Sequence, residues 1–306
     1  MKNFMFCIII LFLGQQAYSW GTLGHKTSGQ IAWALLDKDT RAKVQQVLNN
    51  QTLPEVSTWA DSARALPEWK FTLWYHFEKA PDNYTYLDNL SRQNDKYNKL
   101  GGVVTAMYVA EETYKNKNSN ALDRENAIKF LVHFIADIHQ PLHTGRIEDN
   151  SGNKVPMKWL GLDVTLHQVW DSQIIYLGHR DILQNAIEAD QTQIYADYLL
   201  TKFKDFKVTP DLFLRYDDWM HESMVPRADA YAFKNESEQN YTNRFLDIVD
   251  LRIYLAGLRI ANSLSRILNQ QAPPPSLDQL KDSIVKIIGD FYQFVSLKPR
   301  SLPTTL

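Results

Sequence analysis

A single, mainly α-helical domain is the fold class the sequence predicts. Three observations carry that prediction: apolar residues recur at helical spacing, no stretch alternates for long or repeats, and no βαβ rhythm is present. With 44% hydrophobic and 22% charged residues among 306, the balance is ordinary for a globular chain. Collagen-like, disordered and coiled-coil readings are excluded by it. The domain is expected over residues 20–306, behind a targeting segment.

That segment, residues 1–19, reads as a signal peptide. Lys2 supplies a positive start, Phe4 to Leu13 an apolar run, and Ala17-Tyr18-Ser19 small residues around a cleavage site. The run is too short to span a bilayer, so no membrane anchor is expected. Cleavage between Ser19 and Trp20 removes Cys7, the single cysteine, and delivers to the periplasm or medium a protein without disulfides. Stability must then rest on core packing and on bound metal.

Along the remaining chain, segments near 26–37, 40–49, 100–115, 163–178 and 181–200 read as helices. Ala127, Phe130, Leu131, Phe134 and Ile138 form a helical stripe that Asp123 caps and Pro141 stops. Ile248, Leu251, Leu255 and Leu258 form another. After Ala272-Pro-Pro-Pro275, Ser276 and Gln279 make a capping box before the stripe Leu277, Leu280, Ile284, Ile287 and Phe291. Residues 82–99 and 205–243 are polar, poorly periodic and expected to be loops.

The formal charge is −2 and the pI near 6.4, so the basic footprint of a duplex-DNA binder is missing. A polyanion would have to be held by other means, such as a metal cluster. There is no GxGxxG, GxxxxGK[ST] or GxSxG motif and no cysteine after residue 19, which removes nucleotide-loop and thiol chemistry. Eight histidines remain, two of which open H-x-x-x-D pairs: His133/Asp137 and His167/Asp171. Residues i and i+4 share a helix face, so each pair could grip one metal ion. At 100° per residue from Phe130, Asp137 falls at about −20° and His133 at about −60°, on the edge of the buried face. A buried aspartate needs a partner; metal binding and a plain His–Asp hydrogen bond both provide one. His139 falls at about 180°, which places it behind the site or at the surface.

The motifs taken together are more specific than either pair. They run Trp20-Gly-Thr-Leu-Gly-His25, Ser57-Thr-Trp-Ala-Asp61-Ser-Ala-Arg64, Trp74-Tyr-His76-Phe77, Phe130-Leu-Val-His133-Phe-Ile-Ala-Asp137-Ile-His-Gln-Pro-Leu-His143, Gly152-Asn153-Lys154 and Leu166-His167-Gln-Val-Trp-Asp171. In order and spacing this series closely resembles the zinc-dependent, single-strand-specific nucleases of fungi, plants and bacteria, from Trp20 to about Tyr176.

The resemblance implies a helical domain with three Zn²⁺ at the base of a cleft. Asp61, His76, His133 and Asp137 would hold one ion; His143, His167 and Asp171 a second. The amino group and carbonyl of Trp20, with His25 and Asp137 as a bridge, would hold the third. It also implies hydrolysis of single-stranded RNA and DNA to 5′-phosphate products, 3′-nucleotidase action on mononucleotides, and a monomer. Asp61 would orient the nucleophile and Arg64 would contact phosphate charge. Phe77 would stack a base, with Asn153 near the cleft. Lys79 departs from the pattern: fungal and plant members usually place an aspartate there, reading the base edge, so base preference does not carry over. The absence of disulfides points to a bacterial-type member. His179 and His221 match nothing and are expected to be structural or at the surface, while Asn50, Asn83, Asn89, Asn235 and Asn240 open glycosylation sequons. Two competing readings remain open: a zinc phospholipase C, which has a similar cluster, and a secreted zinc-binding protein without catalysis.

Overall fold

The structure is a computed structural model that describes residues 20–82, 102–209, 213, 215–233 and 236–271. The expected signal segment, all but Asp82 of the loop expected over 82–99, three sequons (Asn83, Asn89, Asn235) and the expected stripe from Leu277 to Phe291 lie outside the described residues. Asn50 and Asn240 are both exposed.

Helix predominates, as the periodicity implies. The N-terminal helices are α1 (Thr22–Leu35), α2 (Lys38–Val47), α3 (Leu53–Val56) and α4 (Trp59–Ala63), followed by a 3₁₀ segment, Lys70–His76. Next come α5 (Val103–Lys115) and α6 (Ala121–Ile138), and a 3₁₀ turn, Pro141–Thr144. Helix α6 starts earlier than its apolar stripe suggests. Asn120 is the N-cap and Asp123 closes the capping box from the third helical position.

The segment near 163–178 is only partly helical. Pro156–Trp159 (β1) and Leu162–Thr165 (β2) form an antiparallel hairpin with Pro156 opposite Thr165. Its turn residues Leu160 and Gly161 have φ of 49° and 82°, the left-handed pair that fits a two-residue hairpin loop. Thr165 then caps α7 (Leu166–Gln168), a π turn covers Val169–Gln173, and α8 (Ile174–Gly178) completes the rod. The helix sought over 181–200 is broken into α9 (Arg180–Leu183) and α10 (Glu188–Lys202).

Residues 205–243 are not simply loop. They contain α11 (Tyr216–Met224), α12 (Arg227–Ala230) and the start of α13 (Glu238–Leu268), roughly 46 Å long at 1.5 Å per residue. Tyr216, Trp219, Met220 and Ser223 are buried along one face of α11, a helical stripe that its acidic neighbours obscure in the sequence.

Two apolar clusters meet along α1, α6 and α13. Leu131, Phe134 and Ile138 of α6 join Met107, Trp219, Ile260 and Leu264 in one. Ala136 joins Trp20, Ile31, Trp170, Tyr195, Phe245 and Ile253 in the other. Helices α1 and α13 approach closely because position 257 is glycine: a Cβ there would lie 2.6 Å from Cβ of Ile31. Helix α1 is thereby fixed against the long helix, with His25 in its first turn. No helix among the described residues is long and apolar enough to cross a membrane.

Candidate metal centre

The eight His and Asp side chains singled out for metal all converge, and none is more than 7% exposed. His25 comes from α1, Asp61 from α4, and His76 from the end of the 3₁₀ segment. His133 and Asp137 lie one turn apart on α6; His143 follows in the Pro141 turn. His167 and Asp171 belong to α7 and the π turn. The Asp171 carbonyl accepts from the N–H of Gly21 at 2.8 Å, which brings the segment at Trp20 beside the cluster.

Asp137 is the centre. Its Oδ1 lies 3.4 Å from His25 Nε2 and 3.5 Å from His143 Nδ1, while its Oδ2 lies 3.1 Å from His76 Nδ1 and 3.2 Å from His133 Nε2. Asp61 Oδ1 is 3.7 Å from both His76 Nδ1 and His133 Nε2, and His167 Nε2 is 3.6 Å from Asp171 Oδ2. Three sets have ligand atoms mutually within 4.8 Å: His76–His133–Asp137, His143–His167–Asp171 and His25–Asp61–His133. The second comprises the same three residues as the set drawn from the resemblance, and the first three of its four, without Asp61. The third links His25 to Asp61 and His133, while keeping it in reach of Asp137.

Whether these residues suit zinc can be tested on their donor atoms. His143 Nε2 and both Asp137 oxygens are buried without a hydrogen-bond partner. Such atoms are costly to bury unless something else satisfies them. Their spacing has a simple origin: ligands about 2.0–2.1 Å from a tetrahedral Zn²⁺ stand on the order of 3.3 Å from one another. The separations of His76 Nδ1, His133 Nε2 and His25 Nε2 from the Asp137 oxygens, 3.1 to 3.4 Å, bracket that value. The donor set fits zinc.

Backbone carbonyls aim the rings. The Nδ1–H of His133 donates to Ser57 O at 2.7 Å, that of His143 to His76 O at 2.5 Å, and that of His167 to Ser151 O at 2.6 Å. Each bond leaves Nε2 as the ring's lone-pair nitrogen. The amide of Gln140 donates to Asp171 Oδ1 at 2.6 Å. None of these partners is read from ligand-type residues alone, although Gln140 stands inside the His139–Pro141 motif. Without a cation the cluster resists charge. Burial pushes Asp171 well up and Asp137 up to about 7, the latter opposed by His133. Burial and neighbouring histidines hold His25, His76 and His143 well below their ordinary range, and burial brings His167 to about 4. Burial opposes charge on His133 too, yet Asp137 and Asp61 raise it.

The other candidates border this cluster. Arg64 Nη2 lies 3.1 Å from Asp61 Oδ1. The ammonium of Lys79 sits 4.5 Å over the Phe77 ring and donates to Asn150 Oδ1 at 2.5 Å, with the edge of Trp74 also against Phe77. Burial, then Lys154, lowers the Lys79 pKa. Asn153 donates to Asn150 O at 2.9 Å, in a loop where Asn150, Ser151 and Gly152 all have positive φ. That loop carries both the Lys79 partner and the carbonyl that orients His167. His179 is structural, paired with Asp250 at 2.7 Å. His221 is half-buried on α11. His139 is not at the surface: it is fully buried at the C-cap of α6, between Ile135 O and Arg259.

The S1/P1 nuclease family model matches residues 20–269, a span that includes every one of these side chains. The chain belongs to the S1/P1 nuclease family. Its relatives include Endonuclease 3 of Arabidopsis thaliana, 29% identical over 287 residues, which cover 87% of this chain and 95% of the relative. Nuclease S1 of Aspergillus oryzae is 27% identical over 85% of this chain and 96% of its own length. Nuclease P1 of Penicillium citrinum is 23% identical over 81% and 97%. The match decides the class: a phosphodiester-hydrolysing, metal-dependent nuclease, rather than a phospholipase C or a non-catalytic zinc binder.

Proposed function

We propose that the protein is a secreted zinc-dependent endonuclease of single-stranded RNA and DNA that leaves 5′-phosphate ends and also acts as a 3′-nucleotidase. The observation that carries the reading is the convergence of His25, His76 and His133 on Asp137 at tetrahedral-edge separations, in a chain of a nuclease family. In this reading residues 1–19 are removed on export and 20–306 act as one monomeric domain.

Three Zn²⁺ would be held by Asp61, His76, His133 and Asp137; by His143, His167 and Asp171; and by His25, Asp137 and the freed amino group and carbonyl of Trp20. When bound, such ions lower the pKa of coordinated water toward neutrality and neutralise charge on a phosphodiester. The chain's own residues do the rest. Asp61 orients the attacking water. Arg64, one turn along, meets the charge that grows on the phosphate oxygens. Phe77 offers its ring to an unpaired base, which a duplex cannot present, so single strands are preferred. Lys79 supplies a hydrogen-bond donor beside that ring, and Asn153 lies at the rim. The test is a short single-stranded oligonucleotide digested by the protein cut after Ser19. Products with 5′-phosphate and 3′-hydroxyl ends are expected; products with 3′-phosphates would overturn the reading.

A further inference from the structure

Behind the metal centre lies a second charge cluster, built around two buried arginines and assembled from three helices. Arg252 and Arg259 stand two turns apart on one face of α13, Glu222 and Ser223 belong to α11, and His139 ends α6. Arg259 grips both oxygens of Glu222, at 2.6 and 2.7 Å, and donates to His139 Nε2 at 2.8 Å. Arg252 donates to Glu222 at 3.0 Å, to the carbonyl of His139 at 3.1 Å and to the hydroxyl of Ser223. The Ser223 hydroxyl in turn donates to the carbonyl of Ile138. His139 Nδ1–H donates back to Ile135 O at 2.6 Å.

Two features set this apart from ordinary helix packing. Both guanidinium groups are nearly inaccessible, yet they share one carboxylate, an arrangement that contributes little to stability compared with apolar packing. Two donors of the cluster are also aimed at particular atoms directly after Asp137: Arg252 Nε at the carbonyl of His139 and the Ser223 hydroxyl at that of Ile138. The last turn of a helix leaves such carbonyls unpaired and carries partial negative charge, so cations there are favourable. The rigid Arg fork adds direction, which a lysine lacks. Asp137, the residue just before these carbonyls, faces histidines from three other segments.

We propose that Arg252, Arg259, Glu222, Ser223 and His139 form a positioning clamp that holds the final turn of α6, and so sets Asp137 at the distance from His25, His76 and His133 that zinc requires. The clamp touches neither substrate nor metal; its effect passes through Asp137. The proposal rests on the reading of Asp137 as a metal ligand.

Arg259→Lys tests it, because charge is kept and the fork is lost. Zn²⁺ affinity would be measured by chelator competition, beside far-UV circular dichroism and the unfolding midpoint of the metal-free protein. A folded variant with Zn²⁺ affinity weakened roughly 10- to 100-fold, the range typical of residues that orient ligands, is expected. A folded variant with native affinity overturns the clamp. Should Arg259→Lys fail to fold, Ser223→Ala removes the donor to Ile138 and the acceptor for Arg252 while leaving both arginines in place, and takes the same measurement, with weakened affinity expected and native affinity contrary. Asp137→Asn separates the two levels of the argument. If it keeps all its zinc, the ligand assignment itself is wrong. If it loses zinc while Arg259→Lys binds normally, only the clamp fails.

Discussion

Gly257→Ala should destabilise the protein through one methyl group. The new Cβ would lie 2.6 Å from both Cβ and Cγ2 of Ile31 and 2.9 Å from the carbonyl oxygen of Ser28. Favourable contact needs about 3.5–4.0 Å, so α1 and α13 must part by roughly 1 Å. The atoms met are a backbone oxygen and the root of a β-branched side chain, which cannot rotate away. The overpacking penalty therefore falls near the upper end of its usual range, about 3 kcal/mol. Alanine returns about 1 kcal/mol as the better helix former. The net loss is about 2 kcal/mol, or roughly 3–4 °C in Tm for a domain of this size. Helix α1 also carries His25, 3.4 Å from Asp137, so displacement of α1 should weaken zinc retention as well. Gly178→Ala is the control. The nearest atoms its Cβ would meet are the δ-methyls and Cγ of Leu246, a side chain able to turn aside. Differential scanning calorimetry of both metal-free variants checks the reasoning, which fails if Gly257→Ala melts with the parent protein.

Three further outcomes follow from the structure. Burial would raise the pKa of Glu111, but hydrogen bonds and charge from Arg266, then Lys115 and Tyr216, hold it at about 2. Its stabilisation is therefore complete above the unfolded pKa near 4.5 and is lost as pH falls from there toward 2, about 3 kcal/mol in all. In urea titrations of the metal-free protein between pH 6 and 3, Glu111→Gln should flatten this acid slope, and an unchanged slope would refute the assignment. Asp137→Asn, which keeps shape but removes the shared charge, should lose at least one zinc by elemental analysis and lower the rate well beyond 100-fold. An extra residue ahead of Trp20 turns its amine into an amide. Such a protein should fold, keep the zinc held by side chains alone and lose most hydrolysis, whereas equal specific activity would mean Trp20 is not a ligand.

The fold class was legible because long buried stripes such as Phe130 to Ile138 need little context, and the family match confirms the class. The eight convergent His and Asp side chains were legible for a different reason: their residue types and intervals are specific in combination. Other features depend on partners far along the chain. His139 sits opposite the apolar stripe on a wheel, yet α13 covers that side, so its burial is set by Arg259, 120 residues away. The strands β1 and β2 span four residues each, too few for alternation to register, and only the turn at Gly161 marks them. Helix α11 was hidden because Asp217, Asp218 and Glu222 give polar character to a segment whose buried face is Tyr216, Trp219, Met220 and Ser223. Nor does a pattern of side chains reveal that the carbonyls of Ser57, His76 and Ser151 aim three imidazoles.

The account depends most directly on metal content. Elemental analysis of the protein cut after Ser19, purified without chelator and assayed in the same preparation, should find three zinc ions per chain. Removal of those ions should abolish cleavage of a single-stranded oligonucleotide. A preparation that cleaves at full rate with no bound metal would contradict the account.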